Sequence, residues 1–125
     1  MTTTAQRVEM LRASAAGLPT EEAAVGLLAA HAHWLDRADF TRHITEARNV
    51  TDPAAGVAAI DWPSALYALD TGRLPCSAGE RRMLRLAASL ADRAAISLGD
   101  AVTSLDHTNS RILVEAILHV VDYRM

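Results

Sequence analysis

The chain has 125 residues with 50% hydrophobic and 22% charged side chains, enough apolar material for one core and too little length for two domains of ordinary size. Only five residues are aromatic while 25 are alanine, a balance that favours closely packed helices over a sandwich or barrel. A formal charge of −3 lacks the basic excess of a nucleic-acid coat.

The expected fold class is all-α: a compact bundle of five to six short helices. Residues 1–125 form a single domain, with 1–18 as a more loosely attached N-terminal helix. The first helix runs from about Thr4 to Ala16, with Val8, Leu11 and Ala15 on one face and Gly17 taking the left-handed end position. Pro19-Thr20-Glu21-Glu22 reads as the next start, Thr20 capping free N–H groups and the two acids suiting the positive helix end. Ala24, Leu27, Leu28, His31, Trp34 and Leu35 recur at helical spacing, so this helix extends to about Leu35. Beyond it, the pattern fits either one bent helix over 20–47 or two.

Asn49–Gly56 reads as a loop, and Asp61-Trp62-Pro63 as a helix start, since a proline loses nothing in a first turn. That helix carries Leu66, Tyr67 and Leu69 and ends at Gly72. Ser77-Ala78-Gly79-Glu80 fits the capping box. Met83, Leu84, Ala87, Leu90, Ala91 and Ala94 form the apolar face behind it, opposite Arg82, Arg85, Ser89 and Arg93. A short piece near Gly99–Ser104 precedes a last helix, capped by Asp106, from about His107 to Val121. Polar residues beyond its first turn fall on one stripe (Arg111, Glu115, His119, Asp122), leaving a wide apolar arc. Such a helix is either central in its own domain or buried against another chain. The 79–94 and 107–121 helices are expected to form the centre of the bundle.

The run Leu74-Pro75-Cys76-Ser77-Ala78-Gly79-Glu80-Arg81-Arg82-Met83-Leu84-Arg85-Leu86-Ala87-Ala88-Ser89-Leu90 resembles small uncharacterised proteins of actinobacteria. The similarity continues through Asp100-Ala101-Val102 and Leu105-Asp106 into the terminal helix. It implies a bacterial cytosolic source and a self-contained fold, and no activity, cofactor or residue role comes with it.

Chemistry-bearing candidates are scattered. On one helix through 31–43, His33, Asp36, Asp39 and His43 would share a face and could hold a divalent metal, but they match no named motif and Arg37 and Arg42 oppose a cation. A solvated polar face is the plainer reading, and no metal is expected. His31, in register with Leu27 and Trp34, reads as a boundary histidine. Cys76 lies before a helix start, where a thiolate is stabilised, yet catalysis would need His107 or His119 brought beside it. No catalytic residue and no cofactor is assigned.

Arg73, Arg81, Arg82, Arg85 and Arg93 make the main polar cluster, suited to phosphates or carboxylates. The helices at 79–94, 99–104 and 107–121 also have the outline of a helix-turn-helix, in which Asn109 and Arg111 would read DNA. Net negative charge, with Asp100 and Asp106 near the phosphates, weighs against it. The N-terminus lacks a secretory signal, no apolar run spans a bilayer, and a lone cysteine fits a reducing compartment, so a cytoplasmic protein is expected. The functional expectation is a non-enzymatic interaction or accessory module that self-associates through Val114, Leu118 and Val121, with Arg82 and Arg85 as a polar contact surface. The alternative is the DNA-binding regulator.

Overall fold

Thr3 and Gln6 open the first helix, α1 (Thr4–Ala15), by a reciprocal cap: the Gln6 N–H donates to the Thr3 hydroxyl at 3.1 Å and the Thr3 N–H to the Gln6 side chain at 2.8 Å. The computed structural model describes residues 2–48 and 56–123. Leu11 and Ala15 of α1 are buried, and Gly17 turns the chain at φ +86°. Helix α2 (Pro19–His31) begins one residue before the expected Thr20 cap. Leu18 is its N-cap and Pro19 its first residue, where the fixed φ of proline is already helical. No side chain caps its first N–H groups; the Glu22 carboxylate instead accepts the Gly17 N–H at 3.1 Å, tying the preceding turn to the helix.

Helix α2 stops at His31 because Ala32 adopts a left-handed conformation (φ 56°, ψ 42°), its N–H donating to the Leu28 carbonyl at 3.1 Å. Neither expectation for 20–47 holds. A 3₁₀ turn (Trp34–Asp36), the one-turn helix α3 (Ala38–Thr41) and a strand β1 (Ile44–Arg48) follow instead. Strand β1 pairs antiparallel with β2 (Gly56–Ile60), Ile44 opposite Ile60 and Arg48 opposite Gly56. The all-α expectation is therefore corrected: the described residues form seven α-helices and a two-stranded sheet, a mainly-α fold. Of the expected loop Asn49–Gly56, Gly56 belongs to β2 and the rest lies outside the described residues.

The strand pair lies on α1. A Cβ added at Gly56 would come within 2.6 Å of the Met10 Cε, the free end of a flexible side chain, so β2 lies directly against Met10 of α1. Ala58 is buried on the same face, and across from it Glu46 accepts the Thr2 hydroxyl at 3.0 Å. After β2, Asp61 caps α4 (Trp62–Asp70) by accepting the Ser64 N–H at 3.1 Å, and Gly72, at φ +77°, follows its end.

Helix α5 (Ala78–Asp92) opens with the expected capping box: the Glu80 N–H donates to the Ser77 hydroxyl at 3.1 Å, and the Ser77 N–H to the Glu80 carboxylate at 2.8 Å. It packs along α2, and Leu27, Leu28, Met83, Leu84, Ala87 and Ala88 are essentially solvent-free. The alanines let the two helices approach closely, which fills this core with few large side chains. Trp34 and Phe40 complete it, ring centroids 5.6 Å apart, and the indole N–H of Trp34 donates to the Glu80 carbonyl at 3.0 Å.

Helices α6 (Leu98–Ser104) and α7 (His107–Asp122) follow, separated only by Leu105 and Asp106. Asp106 caps α7 by accepting the Asn109 N–H at 2.8 Å. Only Leu113 and Ala116 of α7 are buried, and its neighbour is α2. The expectation that 107–121 shares the centre with 79–94 is thus corrected: α2 and α5 are the centre and α7 lies on the outside of α2.

Candidate interaction surface

The orientation of α7 follows from its two buried residues. Leu113 and Ala116, three positions apart, turn one face to α2; residues half a helical revolution away must then point outward. Val114 is 53% exposed, Leu118 48% and Val121 60%, with Ile117 beside them at 38%. Sequence reasoning placed the first three on one surface; Ile117 extends it. Together with Arg111 and Glu115, Val114 and Leu118 line a shallow groove of about 410 Å³.

One flank of this strip carries Arg111, Glu115 and Asp122, all exposed. Asp122 is in the last turn of α7, at the end of the helix dipole that disfavours its charge, and Arg111 is in the second turn. Neither makes an ion pair among the described residues.

The inner edge of α7 borders a second hollow of about 350 Å³ between α1, α2 and α7, floored by Ala23, Gly26 and Leu27 and rimmed by Arg12, Glu22 and His119. His119 Nε2 and Glu22 Oε1 are 2.9 Å apart across it. That hydrogen bond, followed by the one from the Gly17 N–H, holds the Glu22 carboxyl below its ordinary pKa.

Arg82 and Arg85 do not join the α7 strip. Arg85 reaches α4, where it pairs with Asp70, and Arg82 is half-buried on α5. Arg73 and Arg81 are exposed, while Arg93 ends α5 in a left-handed conformation at φ 58°. For the DNA-reading pair, Arg111 is exposed, but Asn109 is half-buried and its amide lies 3.4 Å from the Asp106 carboxylate.

The four residues expected to share a face are dispersed once no helix spans 31–43. His33 Nδ1 lies 3.4 Å from Glu80, Asp39 accepts both Nε–H and Nη–H of Arg37 at 2.9 and 2.5 Å, and Asp36 accepts the Thr4 hydroxyl. His43 sits 2.6 Å from the Ser64 hydroxyl. Among the described residues no three His, Cys, Asp or Glu side chains form a group able to hold a metal ion. His31 is partly buried, and its Nδ1 lacks a hydrogen-bond partner among the described residues. Burial, then the neighbouring His33, lowers its pKa against the opposing pull of Glu80 and Asp106. Burial likewise raises the pKa of the Cys76 thiol, more than Arg81 lowers it, so helix α5 does not activate it.

The His43–Ser64 contact and the exposed ring of Tyr67 were not legible in the sequence. They arise because α4 folds back beside the start of β1, a juxtaposition that no local spacing encodes. No family model, curated protein or solved structure matches the chain. Among the described residues no helix is long and apolar enough to cross a membrane.

Proposed function

We propose that the protein is a non-enzymatic helical interaction module that associates with a second copy of itself through α7. The observation that carries this reading is the outward strip Val114, Ile117, Leu118 and Val121 on a helix that turns Leu113 and Ala116 fully inward and packs Ile112 and Val120 partly against the core. An antiparallel pairing of two α7 helices suits it best. With a two-fold axis near the middle of the helix, Val114 of one copy falls beside Val121 of the other, and the two Leu118 side chains meet at the centre.

The same arrangement brings Arg111 of one copy to Asp122 of the other, along the same flank. Each charge then meets its opposite, and Asp122 gains a cation at the helix end where its own dipole opposes it. Glu115 lies one turn from Arg111 on this flank, within reach of the same guanidinium. Four apolar side chains on a single helix make a small contact, which suits reversible association. Arg82 and Arg85, placed elsewhere, are left as a separate polar surface for a different protein. The lone cysteine, together with the resemblance over residues 74–90, favours a bacterial cytoplasm.

A charge swap tests the pairing. Arg111→Glu or Asp122→Arg alone should weaken self-association, and the double variant should restore it. Equal association in all four proteins would reject the antiparallel pairing.

A further inference from the structure

The corner between α3 and α4 holds a recess of about 120 Å³ lined by Asp39, Arg42, His43, Ser64, Tyr67 and Arg73. The backbone builds it: the His43 N–H donates to the Phe40 carbonyl at 2.9 Å, and the His43 carbonyl accepts the Asp61 N–H at 2.8 Å. These two bonds bring the start of α4 against the residue that follows α3, which is why His43 Nδ1 and Ser64 Oγ share a hydrogen bond at 2.6 Å.

The charges in the recess do not cancel. Asp39 is answered by the bidentate guanidinium of Arg37. Asp61 lies just outside, its Oδ1 engaged by the Ser64 N–H. Arg42 and Arg73 are both exposed, and neither has a carboxylate partner among the described residues. Two free guanidinium groups, a hydroxyl and an imidazole therefore face one small space. At the rim, one helical turn after Ser64, Tyr67 is 63% exposed, a ring in water beside cationic groups.

We propose that this recess binds the phosphate of a phosphate monoester whose flat ring lies on Tyr67, a nucleoside monophosphate being the simplest such ligand. The volume is below the few hundred Å³ of whole-ligand pockets, so it suits one group and leaves the remainder of the ligand outside. Two unneutralised guanidinium groups match a dianion, whereas a carboxylate would leave one of them unanswered. An aromatic face beside a phosphate site stacks a base without demanding its sequence or edge pattern. Ser64 and His43 serve here as hydrogen-bonding groups, and no bond of the ligand is broken.

Isothermal titration of the full chain at low ionic strength, with adenosine monophosphate, inorganic phosphate and adenosine as probes, tests this. The monophosphate should bind, inorganic phosphate should bind about tenfold more weakly, and adenosine should give no heat. Arg42→Gln and Arg73→Gln should each weaken the monophosphate about tenfold or more. Tyr67→Ala should abolish its advantage over inorganic phosphate, and Arg12→Gln, in the hollow beside α7, should change nothing. All four positions are exposed, and matching thermal melts check that the variants fold. No binding of the monophosphate at millimolar concentration, equal binding of adenosine, or affinity indifferent to both recess arginines would overturn the proposal. A Tyr67→Ala protein that keeps the preference for the monophosphate would overturn the stacking half of it, and with it the ligand class.

Discussion

His119 in the last turn of α7 is hydrogen-bonded to Glu22 in the first turn of α2, Nε2 to Oε1 at 2.9 Å. Among the described residues it is the one side-chain hydrogen bond joining α7 to another helix. It holds the end of α7 down while the buried Leu113 and Ala116 hold the middle, and together they set which face is left outside. His119→Ala should leave the fold intact and speed amide hydrogen exchange in the last two turns of α7, with α2 and α5 unchanged. Unchanged exchange in α7 would show that the apolar contacts of Leu113, Ala116 and the partly buried Val120 suffice.

Acid should lower the stability of the protein over two pH ranges. His31 has a lowered pKa, so the unfolded chain takes up the proton first; its contribution is full above the ordinary histidine range and fades as the pH falls below about 6.5. Glu80 has a lowered pKa, chiefly from the Ser77 N–H, so its contribution persists to lower pH and is lost below about 4.3. Chemical denaturation across pH 8 to 3 should show both declines. His31→Leu should flatten the upper one and Glu80→Gln the lower. Ser77→Ala, which loses the hydroxyl cap but keeps the N–H that holds the Glu80 carboxylate, should cost about 1 kcal/mol and leave the lower decline largely in place.

The end of α2 permits a test in which the same substitution has opposite signs. Ala32, with positive φ and exposed, carries the steric penalty of a left-handed Cβ. Ala32→Gly should stabilise by about 0.5 kcal/mol, the relief of that penalty less the entropy of glycine. Ala30→Gly, two residues earlier on the exposed side of the same helix, should destabilise by about 1 kcal/mol. Thermal melts of the two variants shifting in the same direction would contradict the left-handed end.

Cys76 should behave as an ordinary, sluggish thiol. Burial raises its pKa, so the thiolate fraction near pH 8 is smaller than that of a free cysteine. Its rate with a disulfide reagent, followed against pH, should rise only above the range of glutathione-like thiols. A rate plateau already present at pH 7 would mean an activated thiolate.

How far the fold was legible depends on where its signals lie. The capping box at Ser77 and Glu80, the Asp61 and Asp106 caps and the Gly17 and Gly72 turns are local chemistry, and each stands where its spacing predicts. The end of α2 falls on Ala32, a residue that favours continuing a helix, so tertiary packing of Trp34 and Phe40 overrides propensity there. The strand pair was hidden for a related reason. Ala47, Ala58 and Ala59 carry little strand preference, and their pairing with each other's strand and packing on α1 decide their state. The α7 surface was legible as excess apolar arc. Which side of that arc is covered became plain only from Leu113 and Ala116 meeting α2.

Leu28, fully buried, should cost about 2–5 kcal/mol when cut to alanine. Leu118, half exposed on α7, should be nearly silent in the stability of an isolated subunit and visible only in association. Sedimentation equilibrium from about 5 to 200 μM, spanning the affinity expected of a small interface, therefore tests the account most directly. A concentration-dependent dimer that Leu118→Glu converts to monomer, with an unchanged fold, is the predicted result. A wild-type protein that stays monomeric throughout, or a dimer indifferent to Leu118→Glu, would contradict it.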